Sequence, residues 1–215
     1  MKKIILLGGG GHCKSVIDAI ESVNEYEIAA IIDKAENIGR DVCGYKIEAC
    51  DEKLGEYLAA GIKYCFIAIG SVGNPEARIK AFNLACDMGF ILPGIVHAAA
   101  VVSPRAKTGR ALFAGAGAVI NSGAAVGDNC IINTGAIIEH DCVIGDNVHV
   151  ATGAVLSGGV AVGANSHIGS GACVRQYVKI GGGTIIGSGA NVVGDIGDNA
   201  VAYGNPCRIA RANVK

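Results

Sequence analysis

The chain has 215 residues, of which 33 are glycine and only 5% are aromatic, with no tryptophan. This glycine share is about twice the usual one, so the composition is unlike that of an ordinary mixed globular domain. The 18 Lys and Arg residues nearly balance 19 Asp and Glu residues, for a net charge of -1. No basic cluster stands out, which argues against a nucleic-acid-binding protein.

The sequence also indicates where in the cell the protein is located. The longest apolar run, Tyr64 to Ile69, has six residues, far fewer than the roughly 20 that cross a bilayer. Only four aliphatic residues follow Met1-Lys2-Lys3 before a glycine run, too few for a secretory signal. The nine cysteines include no C-x-x-C pair, which is typical of reduced thiols. We therefore expect a cytoplasmic protein that does not bind a membrane.

Predicted strands alternate with predicted helices in the first 92 residues. In chain order these are a strand at 4–7, a helix from the glycine run to about 22, strands at 27–32 and 63–69, and a helix from 74 to about 88. This alternation predicts a Rossmann-like βαβ domain with a small parallel sheet over residues 1–92. Its ligand is expected at the carboxyl ends of the strands.

The glycine run at residues 8–11 is the first candidate binding site. Neither the dinucleotide fingerprint nor the phosphate-loop pattern is complete, because Cys13 stands where both require a small glycine-like residue. Four consecutive glycines exceed the needs of a tight turn and indicate a backbone nest for a diphosphate. A simple strand-to-helix turn stays open as the alternative.

From residue 96 to residue 192 the sequence repeats every six residues. Fifteen of the seventeen positions in this column are Val, Ile or Leu, and a second column four residues later is small or apolar. Short strands must alternate with turns to give this period, and three hexads make a triangular coil of 18 residues. Glycines follow the aliphatic position at 127, 145, 163, 169, 181 and 187. We expect them there for their tolerance of unusual backbone angles.

Histidines mark the candidate chemistry of this repeat region. His140 lies between Glu139 and Asp141, and an oriented carboxylate can fix one imidazole tautomer for general-base work. His149 and His167 are 18 residues apart, so they should stack on consecutive coils. A zinc site that uses both His140 and His149 could form only across a subunit interface. The two residues are nine positions apart, which is half a coil, so they face different sides of the β-helix. A zinc hydrolyase of the carbonic-anhydrase type therefore stays open as a remote alternative.

Several motifs occur in a characteristic order. These are a Gly-Gly-Gly-His loop, a strand ending in Asp, an Ala-Ile-Gly strand end followed by Asn-Pro-Glu-Ala-Arg, the hexads, Ile-Glu-His-Asp-Cys-Val-Ile-Gly and a closing Gly-Asn-Pro-Cys-Arg. Together they resemble the hexapeptide-repeat nucleotide-sugar N-acetyltransferases of the bacillosamine and perosamine type, which are grouped with sialic-acid O-acetyltransferases. The resemblance implies that the α/β domain (1–92) is followed by a left-handed parallel β-helix (93–215). It also implies a homotrimer with active sites between subunits.

The implied reaction moves acetyl from acetyl-CoA to the 4-amino group of a nucleotide-linked 4-amino-4,6-dideoxy sugar, with UDP-sugars favoured. His140 would be the general base, Asp141 would tune it, and His149 would hold or polarise the thioester. Coenzyme A contacts, mainly through backbone, fall at Ser170 and Ser188. Nucleotide-sugar contacts fall at Gly10, Gly11, His12, Asp33, Lys34 and Gly70. No metal is expected, because a thioester is already activated and a deprotonated amine is already a nucleophile.

Charge adds a constraint on the coenzyme. No Lys or Arg lies between residues 111 and 174, and basic residues resume at Arg175 and Lys179. Phosphates are therefore expected toward the C-terminal end of the repeats, with the thioester near His140 and His149. Two further alternatives stay open: O-acetylation of a sialic acid or another sugar hydroxyl, and a non-catalytic nucleotide-sensing module, which would tolerate His140→Ala.

Overall fold

The computed structural model describes residues 1–213, and the last two residues of the predicted 93–215 domain lie outside the described residues. The N-terminal part holds eight helices and strands besides short 3-10 turns. They are β1 (Lys2–Leu7), α1 (Gly11–Val23), β2 (Tyr26–Ile32), β3 (Asp41–Val42), β4 (Tyr45–Ala49), α2 (Leu54–Ala59), β5 (Tyr64–Ile67) and α3 (Glu76–Asp87). The predicted βαβ class is confirmed, whereas β3, β4 and α2 were not predicted.

The strands form one sheet in the order β3-β4-β2-β1-β5, in which only the β3–β4 hairpin pairs antiparallel. The central strands are buried on both faces, as expected for a parallel sheet with continuous apolar runs. Helix α3 begins after Pro75, and the Asn74 side chain accepts the Glu76 N–H at 2.9 Å, which satisfies one free helical donor. The carboxyl ends of β1, β2 and β5 meet at one edge.

The second half consists of two-residue strands six residues apart, followed by two longer strands. They are β6 (Ile95–Val96), β7 (Val101–Val102), β8 (Lys107–Thr108), β9 (Phe113–Ala114), β10 (Val119–Ile120), β11 (Ala125–Val126), β12 (Ile131–Ile132), β13 (Ile137–Ile138), β14 (Val143–Ile144), β15 (His149–Val150), β16 (Val155–Leu156), β17 (Ala161–Val162), β18 (His167–Ile168), β19 (Cys173–Val174), β20 (Lys179–Ile180), β21 (Ile185–Ile186), β22 (Asn191–Val192), β23 (Ala200–Tyr203) and β24 (Arg208–Ala212).

These strands build a left-handed parallel β-helix with three faces, as predicted. Face 1 contains β6, β9, β12, β15, β18, β21 and β23, with β24 antiparallel at its end; face 2 contains β7, β10, β13, β16, β19 and β22; face 3 contains β8, β11, β14, β17 and β20. Neighbouring two-residue strands pair in parallel at a shift of 18 residues, as Ile120 does with Ile138. Stacking thus pairs the backbone of each coil with the next one.

The interior of the β-helix is the pair of columns seen in the sequence. From residue 120 onward the aliphatic column is buried, and every member of the second column from Ala118 to Ala172 is buried as well. The earliest aliphatic positions, Val96 and Val102, are only partly covered. Alternating aliphatic and small side chains therefore fill a narrow triangular core at close packing.

The repeat glycines do not have the unusual backbone angles predicted from the sequence, so that prediction is wrong. The glycines at 127, 145, 163, 169, 181 and 187 do not have positive φ angles. Instead, a Cβ on Gly163 would lie 2.4 Å from the Gly182 nitrogen, and one on Gly145 would lie 2.6 Å from the Ala164 nitrogen. These positions need glycine because the next coil passes directly over them. Left-handed angles occur at other corner positions, such as Gly135 and Gly153.

The N-terminal domain packs on face 1, with contacts that extend from α1 at β6 to the loop of Ser71 and Gly73 beside His149 and Ile185. Phe113 and Ile131, which point outward from that face, belong to the apolar core of the N-terminal domain. The His12 ring meets the Phe113 ring edge to face at 4.7 Å between centroids. Within residues 1–213, no helix combines the length and apolar character needed to cross a membrane.

Candidate active site

A cleft of about 580 Å³ lies at the carboxyl ends of β1, β2 and β5. All six residues predicted to contact the nucleotide sugar line it: Gly10, Gly11, His12, Asp33, Lys34 and Gly70. The cleft therefore lies where ligands bind to parallel sheets. Asp51 and Lys80 line it too, and neither was predicted.

Asp33 shapes the glycine loop on one side of this cleft. Its carboxylate accepts the Gly9 N–H at 2.6 Å, the Lys34 N–H at 2.7 Å and the Asn37 side-chain amide at 3.1 Å. Partial burial opposes ionisation, but the hydrogen bonds from the Lys34 and Gly9 amides hold the pKa of Asp33 below its usual value. Asp33 is thus an ionised loop anchor whose oxygens are already occupied.

The loop presents backbone to the cleft. A Cβ on Gly10 or Gly11 would meet nothing within 4 Å, so these positions are open. They begin α1, where the first amide groups lack intrahelical partners and favour an anion. With Lys34 and Lys80 bordering the same space, the cleft suits a phosphorylated ligand.

Behind the cleft, buried polar side chains join the N-terminal domain to face 1. Arg78 of α3 is 1% exposed, and its guanidinium donates to the backbone oxygen of Asn129 and, at 2.8 Å, to that of Asn147. It also donates to the Ser71 hydroxyl at 3.3 and 3.2 Å. Burial lowers the pKa of Arg78 to about 10, so it stays charged at neutral pH. One arginine therefore binds two coils and a loop together.

His149 belongs to this buried cluster and is 7% exposed. Its Nδ1 faces the backbone oxygen of Ser71, so Nδ1 carries the proton, and Nε2 faces the Asn133 side-chain amide at 3.4 Å. Burial, with the positive charge of Arg78 as a smaller cause, lowers the pKa of His149 to about 3. The ring is uncharged with an Nε2 lone pair, so in this tautomer it cannot polarise a thioester by donating from Nε2.

Two other histidines surround it. His149 and His167 stack on consecutive coils, as predicted, with ring centroids 4.9 Å apart. Burial and then the charge of Arg78 lower the pKa of His12 to about 4, and the same causes lower the pKa of His167. His12 Nε2 and His167 Nδ1 have no hydrogen-bond partner within residues 1–213. All three rings are therefore kept neutral.

His140 lies elsewhere, at the corner that follows β13 between face 2 and face 3. Its side chain is 57% exposed, and Nδ1 is 2.9 Å from Asp141 Oδ2. Asp141 adopts a φ of 61°, a left-handed angle that aspartate tolerates better than most residues. The carboxylate accepts from Nδ1, which leaves the Nε2 lone pair for a proton from a reacting group. This is the geometry of an oriented general base.

The predicted catalytic and coenzyme residues lie on different sides of one chain. His140 is at the face 2 to face 3 corner, His149 is on face 1, and Ser170 and Ser188 are exposed at the face 1 to face 2 corner, one coil apart. They do not form one cluster within the protomer, which is the arrangement expected if they converge between subunits. No group of three or more metal-ligating side chains occurs in the described 1–213 range.

Four residues of the site were not predicted from the sequence, although each lies close to a motif or a strand end. Arg78 ends the Asn-Pro-Glu-Ala-Arg motif, and Ser71 directly follows the strand-end glycine. Asp51 follows β4, which is parallel to β2 and ends beside it. Lys80 is two residues beyond Arg78, on the part of α3 that faces the cleft. A prediction that included β4 would have placed Asp51 at this edge of the sheet.

Two protein families match parts of the chain. Residues 3–84 match the PglD N-terminal domain, and residues 127–158 and 141–176 match the bacterial transferase hexapeptide of six repeats. A search of curated proteins gave no match.

Solved structures match the chain over nearly its whole length. A histidine-to-asparagine mutant of perosamine N-acetyltransferase from Caulobacter crescentus, in complex with CoA and GDP-perosamine, is 37% identical, with a TM-score of 0.92 over 98% of each chain. The acetyltransferase domain of PglB from Neisseria gonorrhoeae, in complex with acetyl coenzyme A, is 34% identical, with a TM-score of 0.88 over 97% of this chain and 98% of that one. WeeI from Acinetobacter baumannii, 24% identical over 97% of this chain and 100% of that one, shares the fold with a TM-score of 0.82.

Proposed function

The chain belongs to the hexapeptide-repeat nucleotide-amino-sugar N-acetyltransferases, and we propose that it acetylates the 4-amino group of a nucleotide-linked 4-amino-4,6-dideoxy sugar with His140 as general base. The coarser activity, acetyl transfer from acetyl-CoA to a nucleotide amino sugar, follows from the family. The observation that carries the proposal is the exposed His140–Asp141 pair, with 2.9 Å between Nδ1 and Oδ2.

The proposed reaction uses these atoms as follows. The sugar nitrogen attacks the thioester carbonyl carbon, and His140 Nε2 accepts the proton that the nitrogen loses. Asp141 stabilises the resulting imidazolium. The carbon–sulfur bond then breaks, and coenzyme A leaves as a thiolate that takes up a proton. Holding both substrates in place contributes much of the rate.

The N-terminal cleft is proposed as the nucleotide-sugar site. The open amides of Gly10 and Gly11, with Lys34 close by, suit the diphosphate. His12 and Gly70 line the same cleft near the buried cluster of His149 and Arg78. On the β-helix, we assign His149, Ser170 and Ser188 to the acyl donor, with His149 as an uncharged wall of the thioester site.

Convergence of these residues requires more than one subunit, and we propose a homotrimer. The outward side chains of face 2 support association because they form an apolar row directly before the corner that carries His140: Val101, Val119, Ile137, Val155 and Cys173. Val101 is the most exposed of the valines and isoleucine in this row. Light scattering should give three times the chain mass, and Val155→Asp should lower it. A monomeric wild-type enzyme with full activity would contradict the assignment.

The central test is release of free thiol from acetyl-CoA. The protein is offered UDP-, dTDP- and GDP-linked 4-amino sugars and the matching 4-hydroxy sugars. The proposal predicts thiol release with an amino sugar and an N-acetylated product by mass spectrometry. Release only with hydroxy sugars or sialic acid would establish O-acetylation instead, and release with none would contradict the activity.

The nucleotide is the finer part of the proposal. The sequence favours UDP, whereas the similar perosamine enzyme was solved with GDP-perosamine. Three hydrogen-bond donors of the chain already bind the Asp33 carboxylate. Asp51 is therefore the carboxylate in the cleft that can accept a hydrogen bond from the nucleobase. A higher kcat/KM for the UDP-sugar would support the UDP assignment. A higher kcat/KM for the GDP-sugar would overturn it and leave acetyl transfer intact.

The location is proposed to be the cytoplasm. All nine cysteines are free thiols, and Cys13, Cys65 and Cys130 are buried among apolar side chains. Reduced cysteines used as small apolar residues fit a reducing compartment. Fractionation of expressing cells should recover the protein with cytoplasmic markers, and recovery with exported proteins would contradict this.

A further inference from the structure

Arg78 carries a buried positive charge that no acidic side chain balances. None of the ion pairs within residues 1–213 includes it. Its acceptors are all uncharged, since they are the backbone oxygens of Asn129 and Asn147 and the hydroxyl of Ser71. Keeping a buried charge among neutral partners is costly to the fold. Such a cost is typical of functional sites and points to a bound group that becomes negative nearby.

Ser71 extends the influence of this charge toward the surface. The guanidinium donates to Ser71 Oγ from Nε at 3.3 Å and from Nη2 at 3.2 Å. These bonds occupy the acceptor side of the oxygen, so the hydroxyl proton points away from Arg78. Ser71 is partly exposed, and among the described residues its hydroxyl donates to no acceptor. Because a neighbouring cation strengthens a donor, Ser71 offers a ligand one strong hydrogen bond.

The loop that carries Ser71 lies between the two proposed substrate sites. Gly70 lines the nucleotide-sugar cleft, and the backbone oxygen of Ser71 accepts a hydrogen bond from His149 Nδ1 on face 1. On the far side of the loop, a Cβ on Gly73 would lie 3.0 Å from the side chain of Ile185. The loop thus covers His149 and is held by the β-helix. A thioester brought to His149 therefore also reaches the Ser71 hydroxyl.

His149 cannot supply a hydrogen bond to the thioester carbonyl. Its ring proton is on Nδ1 and is directed at Ser71, and its Nε2 lone pair faces the Asn133 amide at 3.4 Å. Burial keeps the ring neutral, so Nε2 has no proton to donate. The Ser71 hydroxyl is the adjacent side-chain donor whose proton is available. Its position is set before the reaction, which is what stabilisation of a developing charge requires.

We infer that the Ser71 hydroxyl donates a hydrogen bond to the thioester carbonyl oxygen, with Arg78 as a positioning residue behind it. The inference rests on the proposed function, since it takes acetyl-CoA as the acyl donor. When the sugar nitrogen bonds to the carbonyl carbon, one carbonyl electron pair moves onto the oxygen, which becomes negative. The Ser71 O–H bond stays intact, and its hydrogen bond strengthens as that charge grows. The double bond re-forms as the thiolate leaves, and His140 takes the proton from nitrogen.

The kinetic test uses Ser71→Ala, Ser71→Thr and the control Ser103→Ala in the full chain. Ser103 is a matched control because its hydroxyl also accepts an N–H, from Arg105 at 3.2 Å, and it lies in the first coil outside both sites. Ser71→Ala keeps the backbone oxygen that His149 needs. It should lower kcat at least about a hundredfold with KM for both substrates near wild type. Ser71→Thr keeps the hydroxyl and should retain most of kcat, and Ser103→Ala should retain all of it.

Infrared difference spectroscopy of bound acetyl-CoA labelled with ¹³C at the carbonyl tests the hydrogen bond directly. A donor on the oxygen weakens the double bond, so wild type should lower the carbonyl stretching frequency relative to free acetyl-CoA. Ser71→Ala should lose most of this shift, whereas Ser71→Thr and Ser103→Ala should keep it. The measurement needs no sugar, so loss of the shift supports the inference even if no sugar on the panel is acetylated.

The carbonyl frequency also decides against the inference. A bound carbonyl at its free frequency in wild type would overturn it, and so would a wild-type shift in Ser71→Ala. A rise in both KM values of Ser71→Ala with an unchanged shift would identify a residue that only supports the loop, which overturns the inference too. A wild-type protein that does not bind acetyl-CoA would contradict the proposed function itself, and the inference with it.

Discussion

The buried histidines should make the protein sensitive to acid. His149 and His12 have pKa values of about 3 and about 4, with burial the main cause of each. In the unfolded chain a histidine titrates near its ordinary value, so between that value and the folded pKa only the unfolded chain binds the proton. Their contribution to stability is therefore complete above the unfolded pKa and is lost as pH falls toward the folded pKa.

The size of this loss can be worked out. Each pH unit spent in that window costs about 1.4 kcal/mol for each histidine. From pH 7.5 to pH 4.5 the free energy of unfolding should fall by about 2.5 kcal/mol for His149 and by about as much for His12. Since every titrating carboxylate contributes as well, the informative quantity is a difference between variants.

Urea denaturation at both pH values measures that difference. His149→Gln should lose about 2.5 kcal/mol less than wild type between pH 7.5 and pH 4.5, whatever its stability at neutral pH. Thr184→Val is the control, because Thr184 is buried and its hydroxyl donates to Gly197 without titrating near neutrality. It should show the wild-type pH dependence. An equal loss in His149→Gln and wild type would refute the account of a neutral buried imidazole.

Three further substitutions test separate parts of the structure. Asp141→Asn keeps the left-handed corner but removes the charge beside His140, so kcat should fall at least about tenfold with an unchanged thermal midpoint. Gly163→Ala places a methyl group 2.4 Å from the Gly182 nitrogen, and urea denaturation should show a loss of about 3 kcal/mol. Asp33→Ala releases the glycine loop, and steady-state kinetics should show KM for the nucleotide sugar at least about tenfold higher, with KM for acetyl-CoA unchanged.

A different result would contradict each of these three predictions. Full activity in Asp141→Asn would mean that His140 needs no oriented partner. Wild-type stability in Gly163→Ala would mean that the coils can separate locally without cost. A rise in both KM values in Asp33→Ala would mean that the loop supports the whole enzyme and not one substrate site.

The β-helix could be predicted from sequence because its signal repeats. An aliphatic residue such as Ile138 or Val150 recurs at the same place in successive coils, so fifteen weak indications point to one structure. The reason for the repeat glycines could not be found in this way. A glycine can be needed for a left-handed backbone angle or for close approach of the next coil. The sequence around Gly163 does not show which, because the answer depends on the position of the neighbouring coil.

The N-terminal domain was predictable where its strands are long and apolar. β1 and β2 stand out for this reason, whereas β3 has two residues and β4 mixes Lys46 and Glu48 with apolar residues. Missing β4 also meant missing Asp51 as a cleft residue. Short strands of mixed character gain their stability from neighbours that the local sequence does not identify.

Site residues were predictable where they end a long apolar strand and were not predictable where distant parts of the chain set their environment. Those at the ends of predicted strands, such as Asp33 and Gly70, do line one cleft. The environment of His149 was not predictable, because its burial and tautomer depend on Ser71 and Arg78, at least 71 residues earlier in the chain. Contacts between domains leave no periodic trace in the sequence.

The role of His140 as general base is tested by kcat for acetyl transfer by His140→Ala with the best sugar of the panel. We expect kcat to fall at least about a hundredfold, the usual contribution of a general base. KM for acetyl-CoA and the thermal midpoint should stay near wild type because the His140 side chain is 57% exposed. His97→Ala, at the start of the repeats, should retain wild-type kcat. A kcat within a few fold of wild type in His140→Ala would show that His140 is not the general base.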